Sequence, residues 1–139
     1  MLVVCIEKTG IDLYRTLSDS ETSRNILRFY HPKRTRWGIT VEVSTVSNAL
    51  SLLNELRWYI MRYMSQVLIH DSEHDIYLTR QLAEAVYENR SVVLDAAWQY
   101  AFKVCVSEDG LCTKVPEAVR ESDDTIQIFH VWGLESQLP

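Results

Sequence analysis

An α+β fold is expected for this 139-residue chain from three features of its apolar pattern. Before Ser44, apolar residues alternate with polar ones, the mark of half-buried strands. After Ser44 they recur at spacings of three and four, the mark of a helix. Alternation returns at Thr125 to Trp132. This order predicts an N-terminal antiparallel sheet of three to four strands packed against two or three helices, with a C-terminal strand returning to the sheet. The length suits a single domain over residues 1–139, with 1–45 β-rich, 46–106 helical, and 107–139 an acidic loop plus the last strand. Four Gly and three Pro against four Trp and seven Tyr exclude collagen-like, linker-like and disordered chains.

Leu2 to Ile6 is a continuous Val- and Ile-rich run, suited to a strand buried on both faces. Lys8, Thr9 and Gly10 supply a turn. Ile11, Leu13 and Leu17 alternate with polar neighbours and predict a second strand in a hairpin; Leu13 and Leu17 also stand at i, i+4, so a short helix is the alternative. Ser18 to Ser23 is polar throughout and reads as loop. Ile26 to His31 and Trp37 to Ser44 predict a second hairpin around Pro32 to Arg36, because Ile39, Val41 and Val43 share one side with Thr40 and Glu42 opposite.

Ser44, Thr45 and Ser47 are candidate N-caps for a helix running from Val46 to Ile69, with Ala49, Leu53, Leu56, Ile60, Tyr63 and Val67 on its stripe. A second helix is expected from near Ser72, with Leu78, Leu82, Ala85 and Val86 inward. It either ends at Asn89 and Arg90 and restarts at Ser91, or runs to Val106; Leu94, Ala97, Trp98, Ala101, Phe102 and Cys105 keep helical spacing in both cases. Ser107 to Asp124, with Asp109, Gly110 and Pro116, reads mostly as loop.

The formal charge is −5, and it is polarised along the chain. Residues 1–45 hold seven basic side chains against five acidic, residues 46–107 five against seven, and residues 108–139 two against seven. An acidic total argues against wholesale coating of nucleic acid. Cys5, Cys105 and Cys112 are odd in number and form no C-x-x-C pair, so they are expected as reduced thiols in a cytoplasmic protein. Met1 to Glu7 lacks a signal-peptide pattern, and Glu55, Arg57 and Arg62 interrupt the longest apolar stretch, so no membrane association is expected.

Two clusters carry chemical possibilities. His70, Glu73 and His74 match H-x-x-E-H, in which two His at i, i+4 of a helix bind zinc and the Glu acts as base. The match falls where one apolar periodicity stops and another begins. An interhelical turn, with His70 at a helix C-terminus and acids at the next N-terminus, is the preferred reading. The other cluster is Lys33, Arg34, Arg36 and Trp37, within Phe29 to Trp37, where cations interleave with aromatics. Such a loop can dock a protein partner, grip phosphates and stack bases, or simply guard a sheet edge.

Met61 and Met64 read as core filling, His130 as a satisfied structural imidazole, and Cys105 and Cys112 as buried thiols. No nucleotide-binding, α/β-hydrolase or deaminase motif occurs, and no cofactor is expected. The favoured function is a small intracellular, soluble protein-interaction factor of inhibitor, adaptor, chaperone-like or immunity type. A nucleic-acid-binding regulator using the basic loop is the first alternative, and a small metal-dependent hydrolase the second. The wide apolar face of the helix from Val46 suggests a homodimer.

Overall fold

The computed structural model describes residues 1–89, 101–134 and 137. Among these the α+β expectation holds, but eight strands form one sheet and five helices accompany it. The sheet of three to four strands was therefore an undercount. Its order is β2 (Lys33–Arg34), β3 (Gly38–Glu42), β1 (Leu2–Glu7), β4 (Met64–Asp71), β5 (Ile76–Thr79), β8 (Thr125–Trp132), β6 (Ala101–Ser107) and β7 (Cys112–Pro116). Neighbours run antiparallel except β5 and β8, which pair in parallel through Tyr77↔Val131 and Leu78↔Trp132 alone.

β1 lies where its continuous apolar run places it, buried on both faces between β3 and β4. Val3 and Cys5 join a core with helix residues Leu13, Leu17, Leu52 and Leu53 and with Leu56 between two helices. Val4 and Ile6 point the other way and meet Phe102, Val104, Val106, Phe129 and Val131. Because β6 and β8 belong to the same sheet yet pack on the far face of β1, the sheet doubles back on itself. The short parallel contact between β5 and β8 is its corner. Helices thus cover one face of the N-terminal strands and the C-terminal strands cover the other.

The N-terminal third departs from the expected hairpins. Leu13–Asp19 is α1 and Glu21–Leu27 is α2, so Leu13 to Leu17 of the predicted second strand is helical, as is the predicted Ser18 to Ser23 loop except at the extended Ser20. Asp12 caps α1 by accepting from Arg15 N–H, and Leu13 and Leu17 bury as an i, i+4 pair. The Ser23 hydroxyl donates to Leu17 O at 2.6 Å, which satisfies a polar group buried at the junction. Ile26 and Leu27 are helical in consequence, and the strand that pairs with β3 is not the expected Ile26 to His31 but β2, two residues inside the expected Pro32 to Arg36 turn.

The helix expected from Val46 to Ile69 is two helices and a strand. α3 spans Val46–Glu55, capped by Thr45 Oγ1 on Asn48 N–H; α4 spans Arg57–Tyr63; β4 follows directly. Val67 and Ile69 face the helices while Leu68 faces the second core, so this run is buried on both sides and pairs along the full length of β1. Long-range pairing overrides the local helical spacing.

No helix starts near Ser72: β4 and β5 form a hairpin, and α5 spans Arg80–Asn89, with Thr79 Oγ1 accepting from Leu82 N–H. The expected helical residues Ser91, Leu94, Ala97 and Trp98 lie outside the described residues. Ala101, Phe102 and Cys105 are in β6, not a helix, so residues 46–106 hold three strands. β7 forms a hairpin with β6 inside the expected loop. Lys103, buried on the outer face of β6, donates to Glu121 Oε2 at 2.9 Å and to Val119 O. The last strand is where alternation places it, between β5 and β6.

Candidate functional site

The basic loop sits at one edge of the sheet. β2 is two residues long, and its register is Lys33↔Thr40 and Arg34↔Ile39. On the other side of β3, Val43 N–H donates to Met1 O and Glu7 N–H to Trp37 O, so the odd-numbered residues of β3 bond to β1. The even-numbered ones face the edge, as an antiparallel ladder requires. Continued by two residues, β2 would set position 31 opposite Glu42. His31 instead takes a positive φ of 32°, which turns the chain away. Glu42 is thereby left with an outward backbone N–H and C=O that no described strand covers.

A groove of about 490 Å³ runs along this open edge, walled by Leu2, Phe29, Tyr30, Lys33, Glu42 and Asn48. Phe29 stands 75% exposed at its rim, with the Arg28 guanidinium 4.5 Å from the centre of its ring. Phe29 opens the loop that the sequence singled out for its exposed aromatics, but Glu42 was not picked out as a site residue, because an open strand edge has no signature in composition.

Of the four candidates, Arg34, Arg36 and Trp37 line one cleft, while Lys33 opens onto the groove along β3. Arg34 donates to Asp12 Oδ2 at 3.0 Å and lies over the Tyr14 ring. Trp37 is half-buried, its ring set edge-on to Phe129 at 5.1 Å, so it packs against the second core while also lining a cleft. Arg34, Arg36 and Trp37 share this cleft, of about 450 Å³ between the β1–α1 loop and the β6–β7 turn, with Glu7, Glu108 and Asp109. There burial pushes the Glu7 carboxyl above its ordinary value, although Leu13 N–H donates to it at 3.2 Å. Among the described residues no carboxylate lies within ion-pair distance of Lys33 or Arg36.

His70, Glu73 and His74 do not form the helical H-x-x-E-H arrangement, because the segment is the end of β4 and a hairpin turn in which Asp75 takes a φ of 50°. His70 Nε2 meets Asp75 at 3.0 Å and its ring stacks on Tyr77, while His74 Nδ1 meets Asp71 at 2.8 Å. The two imidazoles are held by different carboxylates. A ligand atom each from Asp71, Glu73 and His74 lies within 4.8 Å of the others, near the surface. Burial works to raise the Asp71 carboxyl, but hydrogen bonds from His74 and from Glu73 N–H together hold it below its ordinary value. The same contact raises His74.

Other candidates fall into place. Met64 is in the core, but Met61 is 71% exposed on α4, beside Trp58, whose ring carries the Arg62 guanidinium at 4.2 Å. All three cysteines are free thiols. Burial pushes Cys5 up to about 12 and Cys112 up to about 11, which makes both poor nucleophiles. His130 pairs with Glu117 at 2.8 Å but on the surface rather than inside. No described helix is long and apolar enough to cross a membrane.

Fold and site together define an α+β protein with a doubled-back sheet and an open-edge groove. Residues 2–106 match the family of unknown function DUF5804, and the chain belongs to that family. No curated protein and no solved structure matches it. The matched span includes both walls of the groove and stops before the β6–β7 turn.

Proposed function

We propose that this protein is an intracellular interaction factor that captures an extended segment of a protein partner along the open edge of β3. The observation that carries this reading is the outward backbone of Glu42, unpaired in a groove between Phe29, Tyr30 and Lys33. An added strand would take main-chain hydrogen bonds from Glu42 and side-chain contacts from the rim. Lys33 supplies a cation without a carboxylate, so an acidic side chain in the segment is favoured.

The aromatics argue for protein over nucleic acid. Base stacking needs an open ring face. Trp37 packs edge-on against Phe129 at the second core, and the rings of Phe29 and Tyr14 each carry an arginine on one face. A reducing compartment suits three free thiols. The His70 to His74 segment is not helical, so the H-x-x-E-H geometry gives no support to a metal-hydrolase reading.

The test is a photo-crosslinker at position 29, used in lysate of the protein's own cells, in the parent and in Glu42→Pro. Proline removes the outward N–H and is tolerated on an edge strand. Protein adducts that resist nuclease and vanish in the proline variant are expected. Adducts lost on nuclease treatment, or unaltered by the proline, would refute the reading.

A homodimer through α4 is a second reading, favoured by Trp58 and Met61, 51% and 71% exposed and adjacent on one helix. Light scattering of the parent and of Trp58→Ala with Met61→Ala decides it. A parent that stays monomeric at high concentration refutes it.

A further inference from the structure

A second cavity, of about 340 Å³, opens between α1, α2 and β3, on the other side of His31 from the groove. Its inner wall is Leu17, Leu27 and Ile39, all buried and all members of the helix-side core. Its mouth carries Arg24, Arg28 and His31, and no carboxylate lines it. Arg24 and Arg28 are at i, i+4 across the end of α2, which sets both guanidinium groups on one side of the opening. Arg24 donates to Ser18 O at 3.4 Å, and Arg28 lies over Phe29; among the described residues neither has an acidic partner. The volume lies at the lower end of the range of about 300–1,000 Å³ that holds small ligands.

We infer that this cavity binds a small organic anion with an apolar body, a carboxylate on an aliphatic or aromatic chain. Each half of that description comes from a wall. An apolar floor favours hydrocarbon through the area it removes from water. Two arginines and an imidazole at the mouth favour an anionic head, because guanidinium and carboxylate form charge-assisted hydrogen bonds. A cation would meet like charge at the mouth, and a neutral ligand would leave the arginines unused. The site shares His31 with the β3 groove, and Arg28 also covers the Phe29 ring at the groove rim, but the cavity does not use Glu42 or Lys33, on which the partner-docking reading rests.

The test uses three probes with one body and different heads: phenylbutyrate, phenylbutanol and phenylbutylamine, titrated by calorimetry into the full chain. The carboxylate is expected to bind on the order of tenfold more tightly than the alcohol, and the amine more weakly than both. In Arg24→Gln with Arg28→Gln the acid should fall to the affinity of the alcohol. Both arginines are exposed, so the unfolding midpoint of this variant should match the parent and separate lost binding from lost fold. Ser18→Trp, which puts an indole in the mouth, should weaken all three probes. An amine that binds as well as the acid, an acid affinity insensitive to the arginine pair, or no saturable binding of phenylbutyrate would each overturn the inference.

Discussion

The guanidinium of Arg34 donates to the carboxylate of Asp12 at 3.0 Å while it covers the ring of Tyr14, and this fixes α1 to the tip of the β2–β3 hairpin. The loop whose charge suggested a binding surface thus spends one of its three cations on its own fold. Both partners are about half exposed, so the ion pair contributes no more than about 1 kcal/mol. Arg34→Gln should therefore shift stability by less than that and leave crosslinking at position 29 unaltered. Asp12→Ala should cost more, about 0.5–2 kcal/mol, because Asp12 also caps α1. Urea unfolding of both variants checks the order; equal costs would refute it.

Gly38 tests the seam between β3 and β1. A Cβ there would lie 2.0 Å from the carbonyl oxygen of Cys5, at a φ of +154°. Gly38→Ala must push two paired strands apart, and a loss of about 3 kcal/mol or more is expected. Gly10 has the same positive-φ requirement but nothing within 4 Å of the added methyl, so Gly10→Ala should cost distinctly less. Thermal unfolding of the two variants checks this.

The loop over β6 is tied down by Lys103 and Glu121. The hydrogen bond from the Lys103 ammonium holds the Glu121 carboxyl below its ordinary value of 4.5. A carboxyl lowered on folding stabilises above its unfolded value and loses that contribution as pH falls through the folded one. Glu121→Gln should be less stable than the parent at neutral pH, and the gap should close below about pH 4. Urea midpoints at neutral and acid pH read it directly; a gap independent of pH would refute the pairing.

His74 carries the opposite sign. Its hydrogen bond to Asp71 raises the imidazole above 6.5. A base raised on folding stabilises fully below the unfolded value, and the contribution is lost as pH rises through the folded one. Proton NMR titration should place His74 above 6.5 in the parent and lower in Asp71→Asn. An unaltered titration in that variant would show that Asp71 is not the cause.

The local signals in the sequence were enough where one element buries its own pattern. The run Leu2 to Ile6, the alternation at Thr125 to Trp132 and the Thr45 cap of α3 are all found as expected. They were misleading where two periods coexist. Leu13 and Leu17 satisfy both strand and helix, and the Asp12 cap decides for helix. Tyr63 and Val67 continue a helical spacing, yet Val67 belongs to a strand because β1 needs a partner along its whole length.

By itself the sequence determined an α+β composition, an acidic balance with a basic start, and a central strand buried on both faces. Tertiary structure alone decided that β6 and β8 fold back over β1, because that closure depends on pairing between residues far apart in the chain. It also decided which of Lys33, Arg34, Arg36 and Trp37 remain available. Lys33 opens onto the β3 groove, whereas Arg34, Arg36 and Trp37 line one cleft, with Arg34 paired to Asp12 and Trp37 packed against the second core. The anion-binding cavity had a local trace in Arg24 and Arg28 at helical spacing, but its apolar floor exists only where Ile39 of β3 meets α1 and α2.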